Sequence, residues 1–142
     1  MHVLIFEDDL ALRAQLTTLL SCEGHDVAGT ADFEDAKDLI SRGDIDLLIA
    51  DLHIIGSETG RVVRGGIQLI RWLRSCKKAG EPFGHIPVLA ISGANLRAGN
   101  PYALPAAKLL GANELLEKPF SNEQIAFAVS RLADAQTAAT VS

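Results

Sequence analysis

No apolar run in this 142-residue chain approaches the roughly 18 residues that a membrane span needs. The N-terminus passes from Met1-His2 into a short apolar run and then acids, without the basic start, long apolar middle and small-residue cleavage site of a secretory signal. A membrane protein and a secreted precursor are therefore not expected, and the reading is a soluble, cytoplasmic protein. Cysteine is scarce: Cys22 and Cys76 form no CxxC pattern and fall in predicted helices, so two buried, reduced thiols are expected rather than a bridge or a metal site. Basic residues are outnumbered, and a formal net charge of −5 argues against a general nucleic-acid surface, which depends on Lys and Arg neutralising phosphates. Arg71, Arg74, Lys77 and Lys78 do cluster, with the spacing of a solvated outer helix face; a docking patch for an acidic partner is the lesser reading. Repeats and low-complexity segments are absent. The length suits one domain, expected over residues 1–135, with residues 136–142 as a short tail that frays.

What the chain does contain is a regular alternation of short apolar runs and amphipathic stretches, the pattern of βαβ units. Strands are expected at Val3–Phe6, Asp26–Gly29, Leu47–Ala50, Ile86–Ile91 and Leu115–Leu116. Helices are expected from Asp9 or Leu10 to Gly24, from Asp32 to Gly43, over Ile67–Leu73 to Gly80, from about Pro105 to Gly111, and after a Ser121–Gln124 capping box. Five strands, each followed by a helix, predict an α/β fold: a doubly wound, five-stranded parallel sheet, for which the flavodoxin-like order 2-1-3-4-5 is one common solution. Residues 54–65 read as a long glycine-bearing loop, and residues 94–110 as an extended, proline-bearing segment.

In that order the crevice lies between the first and third strands, and both of these end in acids: Glu7-Asp8 after one, Asp51 after the other. Like charges about 4 Å apart repel by roughly 4 kcal/mol at an effective dielectric near 20, so such a site needs compensation. Mg²⁺ supplies it, because it takes a carboxylate or two together with waters and phosphate oxygens. Lys118 after the fifth strand adds a positive charge, and Ser92 after the fourth adds a hydroxyl. Together these groups can hold the oxygens of a transferring phosphoryl group while a carboxylate attacks in line. Asp9 is read as the cap of the first helix, and Trp72 as a partly buried packing residue. His2, His25 and His85 form no ligand set; His53, two residues past Asp51, is read as a solvated loop side chain.

Glu7-Asp8, Asp51, Ser92-Gly93 and Lys118-Pro119-Phe120, in this order and context, resemble the receiver domains of bacterial two-component response regulators, over Met1 to about Ala135. The resemblance implies that Asp51 accepts a phosphoryl group from a phosphohistidine on a histidine kinase or histidine phosphotransfer protein. It implies Mg²⁺ held by Asp8, Asp51 and the backbone carbonyl of His53, with Glu7 acting through water. It also implies that Lys118 contacts the phosphoryl group and that Ser92 moves to hydrogen-bond it. A single-domain regulator of this kind would signal through a downstream protein target, as monomer or homodimer, with no chemistry beyond self-phosphorylation and self-dephosphorylation. Leu115 departs from the family's Tyr or Phe three residues before the lysine, and Ile55 stands where a proline is usual.

Three other readings compete. A receiver-like binding module that works without phosphorylation is favoured by Leu115 and the altered loops, and opposed by the complete acid, hydroxyl and lysine set. A phosphatase of the haloacid dehalogenase type would need Asp-x-Asp, where this chain has Asp51-Leu52-His53. A nucleotide binder is disfavoured because the Gly56–Gly60 stretch does not continue as a P-loop.

Overall fold

The computed structural model describes residues 1–52, 65–93 and 103–141. The alternation is realised as β1 (His2–Phe6), α1 (Leu10–Cys22), β2 (Asp26–Thr30), α2 (Phe33–Ser41), β3 (Leu47–Asp51), α3 (Gly66–Lys78), β4 (Val88–Ser92), α4 (Ala103–Leu110), β5 (Glu114–Glu117) and α5 (Asn122–Val141). All strand pairs are parallel, and the order is β2-β1-β3-β4-β5, as expected. The expected loop over residues 54–65 lies outside the described residues apart from Gly65, and so does residues 94–102 of the proline-bearing segment.

Successive strand residues face opposite sides of a sheet, and that alternation divides the core in two. Leu4 and Phe6 of β1, Leu48 and Ala50 of β3, and Val88 and Ala90 of β4 pack under α2, α3 and α4. Val3, Ile5, Leu47, Ile49, Leu89 and Ile91 pack under α1 and α5. Burial on both faces is why β1, β3 and β4 appear in the sequence as continuous apolar runs. Each fully buried Leu or Ile contributes about 1.5–3 kcal/mol.

The helix limits follow local chemistry. Asp9 accepts from the Leu12 N–H at 3.1 Å and Asp32 from the Glu34 N–H at 2.9 Å, so both act as N-caps. Ser121 and Gln124 form the expected reciprocal capping box, with bonds of 2.7 and 3.1 Å. Gly111 ends α4 at φ 112°, a conformation that side-chain-bearing residues rarely adopt.

Several expectations are corrected. β4 begins at Val88 rather than Ile86, because Pro87 has no N–H for the ladder, and a 3-10 turn, Pro82–His85, precedes it. α5 runs on to Val141 through residues expected to fray; the stretch is alanine-rich and free of Gly and Pro. Cys22 is exposed and Cys76 half-buried, since both fall off the apolar stripes of their helices. Arg74 is not part of a solvated face. Its guanidinium donates to the carbonyls of Gly111 (2.9 Å), Gly84 (2.8 Å) and Ile86 (2.9 Å) and to Asn113 Oδ1 (3.0 Å), which ties α3 to the ends of α4 and the 3-10 turn. Trp72 is half-buried as expected and stacks on Phe83 with ring centroids 5.9 Å apart.

Candidate functional site

The acidic edge is built by strand parity. Glu7, Asp51 and Lys118 continue the alternation that places Ile5, Ile49 and Leu116 on the α1/α5 side of the sheet. All three side chains therefore leave the C-terminal edge on the same side. Ser92 is in phase with Val88 and Ala90 and leaves on the other side. The ladder extends past the strand ends and keeps these residues in register: the Glu7 N–H donates to the Thr30 carbonyl (3.1 Å), Leu52 to Ile91 (2.9 Å) and Lys118 to Ser92 (2.7 Å).

The Lys118 ammonium lies 3.2 Å from Asp51 Oδ2 and 3.3 Å from Glu7 Oε2. Glu7 is 1% exposed and Asp51 2%, whereas Asp8 faces solvent. Asp8 nonetheless joins them: one oxygen from each of Glu7, Asp8 and Asp51 can be chosen so that all lie within 4.8 Å of one another. Burial, and then the neighbouring Asp51 carboxylate, push the Glu7 carboxyl up to about 7, against the Asp9 N–H and Lys118, which favour its charged form. For Lys118 burial favours the neutral amine, but attraction to Asp51 and Glu7 outweighs it, and its pKa is raised. Lys118 thus contacts two of the three carboxylates, Glu7 and Asp51. An all-oxygen donor set with surplus negative charge fits a hard divalent cation and does not resemble the His and Cys sets of zinc.

Glu7, Asp8, Asp51 and Lys118 meet at this edge, and Asp9 caps α1. His53 lies outside the described residues. Ser92 reaches the same edge fully buried, and its Oγ has no hydrogen-bond partner among the described residues. Three contributors were missed. The Glu7–Lys118 contact crosses the sheet from β1 to β5. Arg13 donates from α1 to the Glu7 carbonyl at 2.8 Å, holding the turn that carries the acids. Gly66 opens α3 so close to the end of β3 that a Cβ there would run into the Asp51 carbonyl oxygen. The adjacent glycines at 65 and 66 were the available signal, but Gly65 reads only as the end of the loop and Gly66 is given no role.

The family model described as the response regulator receiver domain matches residues 3–130. Aerobic respiration control protein ArcA of Escherichia coli (strain K12) is 26% identical over 124 residues, covering 87% of this chain and 44% of that protein. Regulatory protein VirG of Rhizobium radiobacter is 27% identical over 120 residues, covering 84% and 39%. The chain therefore spans less than half the length of these curated relatives. Among solved structures, the receiver domain of NtrX from Brucella abortus superimposes with a TM-score of 0.72 at 25% identity, covering 94% of this chain and 98% of that one. The family match runs from β1 into α5 and takes in every strand that supplies the acidic edge, so the chain belongs to the response regulator receiver domain family.

Proposed function

We propose that the chain is a two-component phosphoacceptor, with Asp51 receiving the phosphoryl group from a phosphohistidine of a histidine kinase or histidine phosphotransfer protein. The observation that carries this reading is the Lys118 ammonium bridging Asp51 at 3.2 Å and Glu7 at 3.3 Å on the edge where three carboxylates meet. An Asp51 oxygen attacks phosphorus, the P–N bond of the donor breaks, and the electron pair stays on the departing imidazole nitrogen. The product is an acyl phosphate on Asp51. Lys118 holds the Asp51 carboxylate in place and then faces the added phosphate charge. Ser92 brings a hydroxyl, unpartnered among the described residues, that a phosphoryl oxygen can accept from.

Receiver domains bind Mg²⁺ at an acidic pocket; here Glu7, Asp8 and Asp51 are the side chains that would hold it, with the His53 carbonyl as the further ligand expected from the resemblance. Bound there, Mg²⁺ supplies the positive charge that lets anionic donor and anionic acceptor approach. Signalling then passes through contacts with a downstream protein. Leu115, which pairs with Ala90 in the sheet and packs half-buried on the α2/α3/α4 side, puts an aliphatic side chain where the family commonly has a ring.

The test is intact-mass measurement after incubation with acetyl phosphate, with and without Mg²⁺. The expected result is a single phosphate adduct that needs Mg²⁺ and is absent from Asp51→Asn. An adduct that persists in Asp51→Asn, or none in the wild type, overturns the assignment.

A further inference from the structure

A concavity among the described residues lies at the opposite end of the sheet from the acidic edge. It has a volume of about 560 Å³ and is lined by Arg74, Lys77, Lys78, His85, Gly111 and Asn113. That volume is in the range of small-molecule sites, roughly 300–1,000 Å³. No carboxylate occurs among these residues, although the chain as a whole carries a net charge of −5. Of the nearby acids, Glu114 is paired with Arg131 at 3.2 Å, and Glu81 lines a different hollow.

The hydrogen-bond inventory of the wall is one-sided. The acceptors that Gly111 and Asn113 turn toward Arg74 are already taken: the Gly111 carbonyl by Arg74, and Asn113 Oδ1 by both Arg74 (3.0 Å) and the Val88 N–H (2.8 Å). The donors are not. Four of the five guanidinium N–H groups of Arg74 are spent on carbonyl-type oxygens, none of them charged. The Asn113 amide N–H₂ and the Lys77 and Lys78 ammoniums have no side-chain partner among the described residues. Part of this positive charge answers the C-terminal ends of α3 and α4, each equivalent to about half a negative charge. Arg74, Lys77 and Lys78 together exceed that by about two charges.

We infer that this hollow is a second ligand site, for a small molecule bearing a phosphate group, separate from the phosphoryl site. Lysines act there as point charges around the phosphate, while Arg74, its fork already committed to backbone carbonyls, holds the wall rigid and adds fixed charge. The inference does not rest on the role of Asp51.

The probe is inorganic pyrophosphate, titrated calorimetrically into the full chain without Mg²⁺, with amide NMR shifts recorded alongside. Saturable binding is expected, with the largest shifts at Gly111 and Asn113 rather than at Asp51 and Lys118. The exposed pair Lys77→Gln and Lys78→Gln, made together, should weaken binding by about tenfold or more. Circular dichroism and acetyl phosphate labelling should remain as in the wild type. Binding unchanged in that variant, shifts centred on the acidic edge, or no saturation overturns the site. Citrate or a glutamate-rich peptide binding more tightly than pyrophosphate overturns the phosphate class and points to an acidic protein segment instead.

Discussion

At the residue scale, Glu7 couples the site to pH. Its carboxyl is raised from 4.5 to about 7 by burial and by Asp51, so between those values the folded chain keeps a proton that the unfolded chain has lost. Its contribution to stability is present below pH 4.5 and is lost as pH rises toward 7, with an upper size of about 3 kcal/mol. Urea midpoints measured without metal should fall between pH 5 and 8 in the wild type, and this part of the fall should vanish in Glu7→Gln. Because a metal needs the ionised carboxylate, Mg²⁺ should raise the melting temperature more at pH 8 than at pH 6. Ser92 offers a contrasting test. Its buried hydroxyl is unpaired among the described residues, so Ser92→Ala should stabilise the unphosphorylated chain by about 1 kcal/mol in urea unfolding. The same change should shorten the lifetime of the phosphate adduct, which loses a hydrogen-bond donor.

At the element scale, the start of α3 and the end of β3 are held together by the absence of a side chain. Gly66→Ala would drive a Cβ into the Asp51 carbonyl and push the helix away from the strand that carries the acceptor. A loss of about 2–3 kcal/mol in urea unfolding is expected, together with slower acetyl phosphate labelling. Arg74 is the corresponding clamp at the far end of α3. Arg74→Met would keep the aliphatic stem but leave the Gly84, Ile86 and Gly111 carbonyls without this donor, at a cost of about 2–4 kcal/mol. Equal midpoints for wild type and Arg74→Met would show that the clamp is dispensable.

At the scale of the whole molecule, one sheet serves two cores, and every central strand belongs to both. Unfolding one layer strips the other of its floor, so the two should melt together. Trp72 on α3 is the chain's single tryptophan, and its fluorescence reports the α2/α3/α4 layer. Its urea midpoint should coincide with that of far-ultraviolet circular dichroism; an earlier Trp72 transition would reveal independent layers.

How far the sequence carries depends on whether a feature is local or requires chain segments to meet. Strand and helix order, the caps at Asp9, Asp32 and Ser121, and the terminating glycine at 111 all follow from neighbours within a few residues. The acids at strand ends were readable for the same reason, and the switch-point rule for parallel sheets brings Glu7, Asp8 and Asp51 to one edge. Tertiary structure alone decided that Glu7 is buried and shares Lys118 with Asp51, that Gly66 touches the Asp51 backbone, that Cys22 faces solvent, and that Arg74 folds back onto carbonyls 10 to 37 residues away. The physical reason is that periodicity specifies which face of an element is apolar, whereas the partner of a charge is fixed only when packing brings distant elements within hydrogen-bond reach.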